Sequence, residues 1–173
     1  MRACASPRSK GTSSSASAPE RLGSRARLAL IVATAGGLGH APVAPGTVAS
    51  AATALVLWLL ALSTPALAAL VVAVTALGVW AAAEAERALG RKDPGAIVVD
   101  EVAGMALSVL TLPPTPVVIL VGFVLFRVFD IVKPFPANVA QRLPGGAGVV
   151  LDDLIAGLYA LLLLLLARRL AWL

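Results

Sequence analysis

The chain has 173 residues, 59% of them hydrophobic and 13% charged, with a mean hydropathy of +0.92. A soluble domain carries about 45–50% apolar and about 25% charged residues, so the composition excludes an ordinary soluble domain, a disulfide scaffold and disorder over most of the chain. The net charge of +5 comes entirely from residues 1–27, six bases against one acid, while residues 28–173 hold eight of each sign; a basic nucleic-acid-binding surface is therefore excluded.

Residues 1–24 are rich in Ser, Ala, Arg, Gly and Pro without apolar periodicity. They read as disordered, and we set the boundary of this basic tail at 1–27, with a helical membrane domain over 28–173. The tail is attracted to anionic lipid headgroups. A basic start followed by the apolar run 28–35 also has features of a signal peptide. Its basic region is long for one, however, and the next motif begins at once. The single cysteine, Cys4, lies in the tail and the single histidine is His40, so no disulfide within the chain and no two-histidine mechanism is available.

From Leu28 to Ala83 there is no Asp, Glu, Lys or Arg. Gly and Pro make 36–46 a loop, and Ser63-Thr64-Pro65 is a second break. The runs between and after them, 47–62 and 66–83, make helices of about 24–27 Å, adequate for a ~30 Å hydrocarbon core. A charged loop, 84–96, follows. The next uncharged run, 102–126, contains Pro113, Pro114 and Pro116, which cannot sit inside one helix. It reads as a second hairpin, 97–112 and 117–132. A last helix, 149–167, ends at Arg168-Arg169. The expected fold is all-α: a multi-pass integral membrane protein of about four to five spans, two hairpins plus a C-terminal helix. The loops 36–46, 84–96 and 133–148 then share one face with Arg87, Arg91, Lys92, Arg127, Lys133 and Arg142, and only Arg168 and Arg169 reach the other. The positive-inside rule puts the first face in the cytoplasm.

Asp100, Glu101, Asp130, Asp152 and Asp153 lie at the ends of these apolar helices, where each costs up to ~2.5–3.5 kcal/mol at mid-membrane depth. All five fall at the cytoplasmic end of the predicted hairpins. Asp100-Glu101 is followed by Ala103-Gly104, and Asp152-Asp153 by Ala156-Gly157. A small residue on the acid's helix face lets a neighbouring helix approach, which would bring the two acid pairs together. On the fourth helix Arg127, Asp130 and Lys133 recur at i,i+3, halted by Pro134. Five acids against Arg127, Lys133 and Arg142 leave −2. Carboxylates are hard ligands suited to Mg²⁺, and Arg and Lys beside such an ion are phosphate partners. Salt-bridged struts that fix helix positions are the structural alternative.

The glycine loops before the first and last spans, 36–46 and 143–148, offer helix N-termini for phosphate oxygens, or are tight turns. Gly46, Thr47 and Ser50 stand at the first entry, where Thr47 or Ser50 caps the helix or meets the ligand. His40 is in the same loop. No P-loop motif, no cysteine in an arginine-bearing loop and no histidine set occurs. Metal-assisted hydrolysis with a carboxylate base remains as the phosphate chemistry.

Three segments, 37–50, 93–104 and 126–157, resemble the phosphatidylglycerophosphatase A family in order and spacing. They include Phe126-Arg-Val-Phe-Asp-Ile-Val-Lys-Pro134 and Asp152-Asp-Leu-Ile-Ala-Gly157. Ala49 stands where Gly is usual, and Gln141 where an acid often precedes Arg142, which weakens a ligand role for position 141 and leaves the rest intact. The resemblance implies a Mg²⁺-dependent bacterial inner-membrane enzyme that releases the terminal phosphate of phosphatidylglycerophosphate at the cytoplasmic face. It implies Asp100, Glu101, Asp130, Asp152 and Asp153 as metal and base residues and Arg127, Lys133 and Arg142 as phosphate binders, with His40, Gly46, Thr47 and Ser50 assisting. Which carboxylate is base, nucleophile or metal ligand stays open, as does the oligomeric state. Two other classes fit the same acids: a proton- or ion-coupled carrier, with acids strung along a path through the membrane, and a non-catalytic helical protein that binds anionic lipid.

Overall fold

The computed structural model describes residues 23–92 and 94–170, and among these every regular element is helical, with no strand. Helix α1, Ser24–Ala33, was not expected: residues 24–27 belong to a helix and not to the tail, whose residues 1–22 lie outside those described. It forms because its Ala29 and Ala33 face is small enough to lie flat against α3 (Thr64–Leu89), where Ala81, Ala82 and Ala85 are also fully buried. Small faces let two backbones approach closely. Glu84 of α3 accepts from Arg25 at 2.7 Å and from Arg87 at 3.0 Å, which fastens the start of α1.

A 3-10 segment, Ala35–His40, connects α1 to α2 (Pro45–Leu60); Gly36 and Gly37 take φ of 70° and 106° there, a turn that a side chain would strain. Pro45 opens α2 with its φ already set for a helix. Neither Thr47 nor Ser50 caps that helix: the cap position is Ala44, with no side-chain bond. Helix α3 continues through the charged cluster expected as loop, ending six residues later than expected at the left-handed Gly90.

Helix α4, Val99–Ser108, is the largest departure in length. Expected over 97–112, it has 10 helical residues, about 15 Å, roughly half the hydrocarbon thickness. The reason is local. Ser108 Oγ donates to the Met105 carbonyl at 2.7 Å, three residues back, a bond that competes with the helical ladder. The backbone then tightens into Leu110 N–Leu107 O and Leu112 N–Val109 O turns before Pro113, which disfavours helical geometry at Leu112. Helix α5, Pro116–Val132, starts on a Thr115 cap and stops at Lys133, left-handed at φ 47°, because Pro134 cannot extend it. A single turn, α6 (Ala137–Ala140), leads to α7 (Gly146–Arg169).

Among the described residues two helices, α3 and α7, are long and apolar enough to cross a membrane. The ten-residue α4 lies at the centre, packed on α7, α3, α2 and α5, and around it Met105, Val109, Phe126 and Leu164 form the core. Among the described residues α4 packs on α5, whereas α2 packs on α4 and α5 and not along α3. The starts of α2, α4 and α7 and the end of α5 meet at one end, since Gly46, Glu101 and Arg127 touch and Lys133 reaches Asp152. At the other end the turn before α5 adjoins the end of α7, where Pro113 and Arg168 line one cavity.

A candidate metal and phosphate site at one end of the bundle

The site follows from a repeated spacing. Asp100 and Gly104 are four residues apart on α4, as are Asp153 and Gly157 on α7, so each acid shares a helix face with a glycine. The two glycines are where the helices cross. A methyl group on Gly157 would strike the Gly104 carbonyl, and one on Gly104 would lie 2.7 Å from the Asp153 carbonyl and 2.5 Å from the Phe126 ring. No larger residue fits at either place. The crossing draws the acids in: ligand oxygens of Asp100, Glu101 and Asp153 all lie within 4.8 Å of one another. Two trans ligands of Mg²⁺ stand about 4.2 Å apart, so the triad is within small side-chain adjustments of a coordination sphere.

Helix α5 threads two bases among the acids. Arg127 Nη1 donates to Asp130 Oδ2 at 2.6 Å and lies 3.9 Å from Glu101 Oε1. Lys133 Nζ lies 3.2 Å from Asp130 Oδ1, 2.5 Å from Asp152 Oδ2 and 3.7 Å from Asp153 Oδ1. Burial alone would lower the Lys133 pKa. Its hydrogen bond to Asp152 and the charges of Asp153, Asp152 and Asp130 outweigh that, and hold it above the ordinary lysine value. The aspartates run from 2% exposed (Asp153) to 8% (Asp100 and Asp130).

The first glycine loop reaches the site at one residue. A methyl on Gly46 would collide with Glu101 Oε1 and lie 3.2 Å from Arg127 Nη1. Ser50, one turn on, is fully buried; its hydroxyl donates to the Gly46 carbonyl at 2.7 Å and accepts from Arg127 Nη1 at 3.5 Å. Ser50 therefore positions Arg127 and does not offer its proton to a ligand. Thr47 stands half-buried in the same first turn. The structure does not bring His40 or Arg142 to the acids. His40 is exposed and lines a cavity of about 530 Å³ with Thr34, Gly37 and Arg91. Arg142, also exposed, lines another with Arg87, Arg91 and Lys92. Without Arg142 the cluster is five acids against two bases, −3 and not −2.

Tyr159 is a residue that sequence reasoning passed over. Its hydroxyl donates to the Phe135 carbonyl at 2.7 Å, and its ring stands 5.4 Å from that of Phe129. It fixes the turn that carries Lys133. The available signal was its place seven residues after Asp152, two turns along the same face.

Buried oxygens of Glu101 (Oε2), Asp152 (Oδ1) and Asp153 (Oδ2) have no hydrogen-bond partner, nor has the buried Arg127 Nε. Buried polar groups are normally satisfied, so these acceptors inside a −3 cluster are a donor set that a divalent cation would satisfy. Hard oxygen donors at this spacing fit a divalent ion such as Mg²⁺.

A profile described as phosphatidylglycerophosphatase A matches residues 31–168. The chain belongs to the phosphatidylglycerophosphatase A family. The enzyme is accordingly a phosphatase, and family members of that name resemble it in two bacteria. The one from Escherichia coli is 36% identical over 131 residues, 73% of this chain and 76% of the relative. The one from Haemophilus influenzae is 36% identical over 88 residues, 50% and 54% of the two. A Bacteroides thetaiotaomicron protein described as a putative phosphatidylinositol-3-phosphatase is 39% identical over 151 residues, 82% of this chain and 94% of the relative. No solved structure matches the chain.

Proposed function

We propose that this phosphatase removes the terminal phosphate of phosphatidylglycerophosphate, with Mg²⁺, at the cytoplasmic face of a bacterial inner membrane. The observation that carries the reading is the convergence of Asp100, Glu101 and Asp153 from α4 and α7, beside Arg127 and Lys133.

Asp100, Glu101 and Asp153 would hold the ion, which when bound polarises the phosphoryl oxygens. Arg127 and Lys133 offset the charge that builds on the phosphoryl group, held in place by Asp130 between them. Asp152 keeps one oxygen on Lys133 and the other uncommitted; that second oxygen takes the proton of the attacking water. The phosphorus–oxygen ester bond breaks, and the glycerol oxygen leaves with the proton returned to it. Inorganic phosphate is the other product.

A multi-pass membrane setting is supported by α3 and α7 and by the exposed apolar faces of α2 and α5, where Leu59 and Leu120 stand outward. The cytoplasmic placement rests on charge: Arg87, Arg91, Lys92, Arg127, Lys133 and Arg142 gather toward the site end, Arg168 and Arg169 at the other. A carrier would need its acids along a transmembrane path, whereas these five gather at one end. A single membrane domain is part of the same proposal.

The Bacteroides relative favours a second reading, in which the headgroup is an inositol 3-phosphate. Purified protein in phosphatidylcholine vesicles, offered each lipid with Mg²⁺, separates the two. The first reading expects phosphate release from phosphatidylglycerophosphate; release from phosphatidylinositol 3-phosphate alone establishes the second, and release from neither overturns both.

A further inference from the structure

An apolar groove of about 310 Å³ runs between α2 and α5 on the outside of the bundle. Its walls are Ala51, Ala54, Leu55 and Trp58 on one side and Ile119, Leu120 and Phe123 on the other, with Pro116 at its far end. None of these residues carries a charge. The groove is open to its surroundings, with Leu55 53% and Leu120 63% exposed.

Its register is what assigns an occupant. Ser50, Ala54 and Trp58 recur every four residues along one face of α2, and Ile119, Phe123 and Arg127 do the same on α5. The helices run in opposite directions, so the two stripes pass from polar to apolar together. At one end Ser50 and Gly46 meet Arg127 beside Glu101. One turn away the same faces have become the groove wall. From Ser50 to Trp58, and from Arg127 to Ile119, the stripes extend about 12 Å, most of a ~15 Å bilayer leaflet. A molecule seated there has a charged end at the Arg127 cluster and a thin apolar body pointing toward the bilayer centre.

We propose that the α2–α5 groove binds one acyl chain of the phospholipid substrate, aligning its headgroup phosphate with the acid cluster. The proposal rests on the reading of that cluster as a phosphatase site for lipid. Lipid tails are as apolar as the groove, so transfer from bilayer to groove contributes little by itself. The groove acts through orientation: a chain fixed between α2 and α5 restricts where the phosphate stands relative to Arg127 and the carboxylates.

The test compares dioleoyl and dihexanoyl phosphatidylglycerophosphate in detergent. Ala54→Phe fills the groove, but Ala54 is 6% exposed and belongs to the core, so Ala51→Phe on the exposed rim is made beside it. The ratio of kcat/KM for the long chain to that for the short chain should fall by about tenfold in both. Leu162→Phe, on the exposed face of α7, should leave the ratio at its wild-type value. An unchanged ratio in Ala51→Phe with the fold intact overturns the proposal. A binding readout separates it from the phosphatase reading. In a Trp80→Phe/Trp172→Phe background, chain-brominated phosphatidylglycerophosphate added to unlabelled phosphatidylcholine should quench Trp58 saturably, and Ala51→Phe should abolish the saturable part. Saturable quenching without phosphate release supports the groove and overturns the phosphatase reading; phosphate release without saturable quenching overturns the groove alone.

Discussion

Lys133 lies within 3.7 Å of three carboxylates, Asp130, Asp152 and Asp153, and Arg127 bridges two more contacts at Glu101 and Asp130. Removing one partner from such a network leaves charge without compensation. Lys133→Met should destabilise the fold by about 3 kcal/mol, the low end for breaking a buried pair, because the lysine side chain keeps 28% of its surface exposed. Chemical denaturation in detergent measures it, and wild-type stability in the variant would contradict the network as drawn. Gly46→Ala separates activity from stability. Alanine favours a helix over glycine by up to about 1 kcal/mol, yet its methyl would land on Glu101 Oε1. The expected outcome is phosphate release lowered at least about tenfold with no fall in melting temperature; full activity would show that Glu101 has room to move. The five acids and Arg127 and Lys133 were legible in the sequence because charge inside apolar runs has few structural excuses. His40, Arg142 and the indirect place of Ser50 were not. Their positions depend on how loops fold over the bundle and on which way a hydroxyl turns, and residue spacing records neither.

At the scale of elements, the α4–α7 crossing sets the distance between the acids. Gly157→Leu should force the helices apart, cost about 1–3 kcal/mol and weaken divalent-ion binding. A cation that binds only the folded form raises stability by about 2.7 kcal/mol at a hundred times its Kd, so thermal melting with and without Mg²⁺ reads that binding. The Mg²⁺-dependent rise should vanish in Gly157→Leu and persist in Leu162→Ala on the exposed side of α7; an undiminished rise in Gly157→Leu would mean the crossing does not set the site. This crossing was readable from the acid–glycine spacing on both helices. Two elements were not. Helix α1 is held by alanine faces and by Arg25–Glu84, which leave little amphipathic pattern. The early end of α4 comes from one Ser108 hydroxyl and the approach to Pro113, inside a run that composition alone extends to Leu112.

Across the whole molecule, three helix termini bring five acids to one end, and the basic residues of 87–142 gather toward that end. The account places it in the cytoplasm. In a Cys4→Ser background, Leu143→Cys should react with an impermeant thiol reagent in inverted membrane vesicles, and Thr111→Cys, in the opposite turn, in right-side-out vesicles; the reverse pattern would put the site outside. The break between α4 and α5 was legible because three prolines in four positions force a turn. The number of helices long enough to span was not, since helix ends are set by caps and turns that hydropathy does not encode. The most direct test of the central claim is phosphate release from phosphatidylglycerophosphate by the purified protein, titrated with Mg²⁺, beside Asp153→Asn. The account predicts release that stops in chelator, returns when Mg²⁺ is restored, and is at least about a hundredfold lower in Asp153→Asn. Release that persists in chelator, or that Asp153→Asn leaves at the wild-type rate, would contradict it.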